Sequence, residues 1–182
     1  TVASLHYLRG NAFFFLGNID NCLIAHQQAE ALAADQKLPI IQVRALSGIA
    51  DAYYAMGRFI TAEQKYRRCI ALCKQHNLIR DITANQVMIG AILGYLNRFD
   101  DAEQILLETV ELAQKVRNRR AEAMSLGELT CVLYQANKQE SARFYANQCL
   151  QLAKQIGSIR IKCDAFLYLG TIDKNEALLE QA

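Results

Sequence analysis

Residues 44–78, RALSGIADAYYAMGRFITAEQKYRRCIALCKQHNL, decide the fold of this chain. Leu46, Ile49, Ala50 and Tyr53 recur at three- and four-residue spacing up to Gly57, and Phe59, Ala62, Tyr66, Cys69, Ile70 and Cys73 then do the same. Apolar residues at that interval make one face of an α-helix, so the stretch predicts two amphipathic helices joined at a glycine. Neither helix can bury its apolar face alone. The unit must stack on copies of itself.

Sliding the chain along itself finds those copies at an offset of forty residues. Gly17, Gly57, Asn97 and Asn137 fall in one column, and glycine and asparagine are the residues that most readily take the left-handed conformation closing a helix. Five positions on, a second column holds the small residues Cys22, Ala62, Ala102 and Ala142. Ala29, Cys69, Thr109 and Cys149 form a third, and Leu32, Leu72, Leu112 and Leu152 a fourth. Second helices should end near Lys37, Asn77, Arg117 and Gly157, of which two suit a left-handed cap. The reading is one domain over 1–182, with helix pairs at about 3–39, 41–78, 81–118 and 120–158 and a partial fifth at 159–182.

Composition fits an all-α architecture, a right-handed superhelical solenoid of antiparallel helix pairs. The 182 residues are 52% hydrophobic and contain a single proline, enough to bury a continuous core and few interruptions for a mixed fold. Twenty basic and eighteen acidic residues leave a formal charge of +2, too balanced for the dense positive field that phosphate backbones demand. Nucleic acid and membrane are therefore excluded as expected partners. The longest apolar runs, 11–16 and 87–96, fall far short of the roughly 20 residues that span a bilayer. No basic-then-apolar leader is visible, so a cytoplasmic location is expected. The start at Thr1 and the end partway through a repeat suggest a piece of a longer protein.

The six cysteines read as structural. Cys22 stands where other repeats have alanine, and Cys69 and Cys149 share a column with Ala29 and Thr109, so they act as small apolar fillers in a reducing compartment.

Helices are predicted over 4–16, 20–35, 41–56, 59–76, 81–96, 99–116, 119–136, 139–156 and 159–173. Pro39 is expected in a linker that bounds the first repeat, because proline disfavours continuing a helix. Phe13, Phe14 and Phe15 point in different directions on a helix, so at least one must face outward. No turn residue occupies Ala177, where the register expects one, and the last helix is expected to run on.

The pattern Leu46, Ala50, Tyr53, Gly57, Ala62, Tyr66 resembles the tetratricopeptide repeat, with its large, small, aromatic, glycine, alanine and aromatic positions. That repeat is usually 34 residues long, so each unit here carries six more, about 9 Å of extra helix. A narrower likeness, carried by residues 9–29 and 44–76, is to the C-terminal repeat region of bacterial proteins that couple a class III nucleotide cyclase to an AAA-type ATPase. That likeness implies a sensing or scaffolding end without the cyclase aspartates or an ATPase phosphate loop.

Catalytic and metal chemistry find little support. Cys69, Cys73 and His76 lie on one helical face at i, i+4 and i+7, yet the two cysteines fall on the apolar stripe and no fourth ligand is evident. His6 and His26 are isolated, whereas a nucleophile needs both a base and an orienting group. No G-x-S-x-G, P-loop or H-E-x-x-H occurs. The chain is expected to be no enzyme and to hold no cofactor or metal.

Binding is what stacked helix pairs supply by themselves. In the tetratricopeptide family the first helix of each pair lines the groove, which implies Ser4, Tyr7, Asn11 and Phe14, then Arg44, Ser47, Asp51 and Tyr54, then Val87, Ala91 and Tyr95, then Met124, Cys131 and Tyr134. Tyr7, Tyr54, Tyr95 and Tyr134 recur along it, although aromatic stripes at helical spacing often complete a core instead. A family clamp for C-terminal carboxylates is not matched: Asn11 fits one position, but Tyr7, Gly48, Ala84 and Met88 hold the others. The expected function is a protein- or peptide-binding scaffold or sensor in a signalling protein. The alternatives are homodimerisation through Phe166, Leu167, Leu169 and Leu179 of the terminal repeat, or small-ligand sensing.

Overall fold

The computed structural model describes residues 1–174, and every regular element among them is an α-helix. They are α1 (Val2–Phe15), α2 (Ile19–Asp35), α3 (Pro39–Ala55), α4 (Phe59–Gln75), α5 (Ile79–Tyr95), α6 (Phe99–Lys115), α7 (Arg119–Gln135), α8 (Gln139–Ile156) and α9 (Ile159–Asp173). The even-numbered helices start at Ile19, Phe59, Phe99 and Gln139, and α3, α5, α7 and α9 start at Pro39, Ile79, Arg119 and Ile159. Both series keep the forty-residue interval without slippage.

The turns enforce that interval. Positive φ occurs at Gly17, Lys37, Gly57, Asn77, Asn97, Arg117, Asn137 and Gly157, one residue in every twenty. After each, the next backbone N–H donates to a carbonyl five residues back: Asn18 to Phe13 at 2.9 Å, Arg58 to Tyr53 at 2.9 Å, Lys138 to Leu133 at 2.8 Å. This six-to-one closure satisfies carbonyls that the helix end leaves open. Lys37 and Arg117 join it at φ 53° and 51° although each carries a side chain that disfavours that conformation. Backbone closure wins there, through Leu38 N to Ala33 O and Asn118 N to Ala113 O, both 2.8 Å.

Pro39 departs from expectation. It is the first residue of α3, rather than part of a linker. A first-turn N–H has no partner inside the helix, so its loss costs nothing, and proline's fixed φ is already helical.

Contacts gather the chain into two compact units, Thr1–Asn85 and the residues from Gln86 on. In the first, α1 packs on α2, α2 on α3 and α3 on α4, and α1 also meets α3 directly. The second repeats this with α6 on α7, α7 on α8, α8 on α9, and α7 against α9. Within each unit, then, the first helices of successive pairs lie side by side. Their second helices reach between them through the small-residue columns: Cys22, Ala62, Ala102, Ala142, Ala29, Cys69, Thr109 and Cys149 are all fully buried. The cysteines of the later column also donate weak hydrogen bonds, Cys69 Sγ to Val43 O at 3.3 Å and Cys149 Sγ to Ala123 O at 3.4 Å. Among the described residues all six cysteines are free thiols.

Phe14 and Phe15 face outward while Phe13 is half-buried. In the second unit Phe166 and Leu169 are buried, with Lys154 Nζ 5.8 Å from the Phe166 ring, whereas Leu167 is exposed. Of the residues expected to pair two copies, only Leu167 is therefore free to do so among those described, and Leu179 lies outside them. The expected continuation of the last helix falls outside them too. No helix among the described residues is long and apolar enough to cross a membrane.

Candidate partner-binding site

In the first unit, α1 and α3 present Asn11, Phe14, Phe15, Gly48 and Asp51 to one cavity of about 290 Å³, and His26 of α2 supplies its back wall. Asn11, Phe14 and Asp51 belong to the groove set read from sequence, and the structure brings them together. Tyr7 is half-buried with its ring 5.7 Å from that of His26. Tyr54 packs at 5.6 Å on Phe59, so it is partly a core ring. Ser4 and Ser47 are half-buried and do not line the cavity. Arg44 is exposed, 3.9 Å from Asp81, a contact too long and too wet to contribute much.

His26 reaches the cavity because two glycines let it through. A Cβ added at Gly10 would stand 2.7 Å from His26 Nε2, and one at Gly48 only 2.5 Å from it. The ring is 1% exposed and its Nδ1 has no hydrogen-bond partner. Burial therefore pushes its pKa down to about 4. Asp51 receives a hydrogen bond from the Tyr66 hydroxyl of α4. Burial raises the Asp51 carboxyl to about 6, and the Tyr66 bond partly opposes the rise. Near neutral pH the cavity thus holds an uncharged imidazole beside a carboxylate.

In the second unit Tyr95, Cys131, Ala91, Glu128 and Gln135 surround a much smaller hollow of about 20 Å³, room for about one water. Burial raises the Glu128 carboxyl; Asp164 adds to the rise and Arg160 opposes it. Burial also raises the Cys131 thiol, against a hydrogen bond with Tyr168. Tyr134 rests 6.4 Å from Tyr168, Met124 is half-buried against the core cluster of this unit, and Val87 is buried.

Family models described as tetratricopeptide repeat match residues 81–155 and 43–77, together more than half of the sequence. The chain belongs to the tetratricopeptide-repeat family. No curated protein sequence matches it. Three solved structures share its fold at low identity. The apo form of RapI is 15% identical, with a TM-score of 0.89 over 98% of this chain and 66% of that one. The Rap conjugation gene regulator of the plasmid pLS20, in complex with the Phr* peptide, is 15% identical, with a TM-score of 0.85 over 99% and 50%. A signal transduction ATPase with a tetratricopeptide repeat sensor from Pyrococcus horikoshii is 13% identical, with a TM-score of 0.81 over 98% and 29%. This chain spans about two thirds of the length of the first and half or less of the others.

Tetratricopeptide-repeat logic explains which site residues the sequence reading passed over. His26 shares its forty-residue column with Tyr66, Leu106 and Ala146, all buried on second helices, so it reads as core. Its access to the groove depends on Gly48, whose column otherwise holds Leu8, Met88, Glu128 and Tyr168. A glycine amid large residues was the available signal. Glu128 and Tyr168 carry the same column into the second unit, where both stand near Cys131.

Proposed function

We propose that this chain is a non-catalytic module that binds a peptide or protein segment along its first helices, and that it serves as the sensing or scaffolding part of a larger cytoplasmic signalling protein. The observation that carries this reading is the convergence of Asn11 and Phe14 of α1 with Gly48 and Asp51 of α3 on one cavity. Exposed aromatic edges beside a few polar groups are what peptide recognition uses. The Rap regulator bound to the Phr* peptide and the ATPase with a repeat sensor support the peptide and the signalling parts of the reading.

Homodimerisation is the weaker reading, because Phe166 and Leu169 are already buried. Selection of displayed random peptides against the whole chain tests the proposal. Recovered sequences should bind Phe14→Ala at least severalfold less tightly; a selection that returns no sequence sensitive to that change refutes it. Light scattering across a dilution series reports the dimer reading separately.

A further inference from the structure

The cavity between α1 and α3 offers acceptors and aromatic faces but no cation. Tyr66 binds Oδ1 of Asp51, leaving Oδ2 open, and no lysine or arginine among the described residues pairs with this carboxylate. Arg44, two turns earlier on α3, is turned to Asp81 instead. His26, 1% exposed with an unpartnered Nδ1, lines the same space, and as a neutral ring it does not compensate Asp51. Asn11 adds an amide oxygen, and Phe14 and Phe15 stand edge to face at 6.5 Å on the rim.

We propose that this cavity takes a basic side chain of the bound peptide, arginine above all, with its guanidinium on the Asp51 carboxylate and its methylene stem along Phe14 and Phe15. The inference rests on the peptide-binding reading above. A guanidinium has five N–H donors and no acceptor, which complements a wall of acceptors. Its plane also stacks on aromatic rings, and a partly desolvated carboxylate gains most from a charge-assisted partner. At about 290 Å³ the cavity lies just below the ~300–1,000 Å³ of small-molecule sites, so it suits one long side chain better than a free metabolite. A C-terminal carboxylate would meet Asp51 with like charge, which agrees with the unmatched clamp.

The test is an NMR titration of the whole chain with N-acetylarginine amide and with its uncharged citrulline counterpart. The arginine probe should shift the Asn11 side-chain amide and the His26 ring signals, and citrulline should bind at least tenfold more weakly. Asp51→Asn, which keeps an acceptor for Tyr66, should weaken arginine binding at least tenfold, and Phe14→Ala severalfold. Absence of arginine shifts, equal binding of citrulline, or unchanged binding by Asp51→Asn would overturn the inference. Should Asp51→Asn fail to fold, the citrulline comparison and Phe14→Ala decide alone. If peptide selection succeeds while arginine fails, only the basic-side-chain inference falls; if selection fails, the peptide reading falls with it.

Discussion

Replacing glycine by alanine inside a helix normally stabilises a protein by about 0.5–1 kcal/mol, because alanine has less backbone freedom to lose. Gly48 and Gly127 both sit inside helices here, α3 and α7, and the structure gives the same substitution opposite signs. At Gly127 the nearest atom to a new Cβ is Cys149 Sγ at 3.7 Å, an ordinary contact, so Gly127→Ala should gain the full amount. At Gly48 the Cβ would stand 2.5 Å from His26 Nε2 and 2.6 Å from both Cδ2 and Cε1. The ring has no easy retreat, since Gly10 confines it equally closely. Overpacking of this kind costs about 1–3 kcal/mol, which outweighs the helix gain, and Gly48→Ala should be less stable by about 1–2 kcal/mol.

Urea denaturation followed by circular dichroism measures both variants, and thermal midpoints should move by roughly 2–4 °C per kcal/mol for a chain of this size. Combining Gly48→Ala with His26→Ala removes the obstacle, so the two changes should be coupled by about 1–3 kcal/mol. A Gly48→Ala variant as stable as the parent, or the absence of coupling, would refute the passage of His26 between the glycines.

Other expectations follow from the turns, the buried charges and the small-residue columns. Lys37→Gly and Arg117→Gly should each stabilise by roughly 0.5–1 kcal/mol, since both residues hold positive φ, and Gly57→Ala should cost about 1 kcal/mol; denaturation midpoints moving the other way would contradict the turn geometry. On acidification from pH 6.5 to about 4 the unfolded chain takes up a proton at His26 that the native state refuses, so this residue makes stability fall. Asp51 acts oppositely, because between about 6 and 3.8 the native state is the better proton acceptor. Asp51→Asn should therefore lose stability more steeply than the parent over that window, and a flatter profile would count against the assignment. Ala62→Leu should cost about 1–3 kcal/mol in the melting transition, because Ala62 is fully buried at a close helix contact.

Legibility in the sequence followed the physics of each feature. Gly17, Gly57, Asn97 and Asn137 announced their turns, because few residue types accept positive φ. Lys37 and Arg117 did not, since the hydrogen bonds that hold them come from the backbone and leave no trace in residue type. Pro39 signalled a boundary correctly but was placed outside the helix it begins. The groove set mixed both kinds of evidence: Asn11, Phe14 and Asp51 meet at the cavity, while Tyr54 is partly occupied by Phe59.

What the sequence determined by itself was the helix content, the forty-residue period and the columns of small residues. All three depend on short-range periodicity and on turn chemistry, which a linear pattern records directly. Only the tertiary structure decided that Gly10 and Gly48 admit His26 to the first-helix face and that Tyr66 crosses from α4 to Asp51. Those pairings join residues 15 to 22 positions apart, or more, across helix contacts. Side-chain size on one helix has meaning there only against the space left by another.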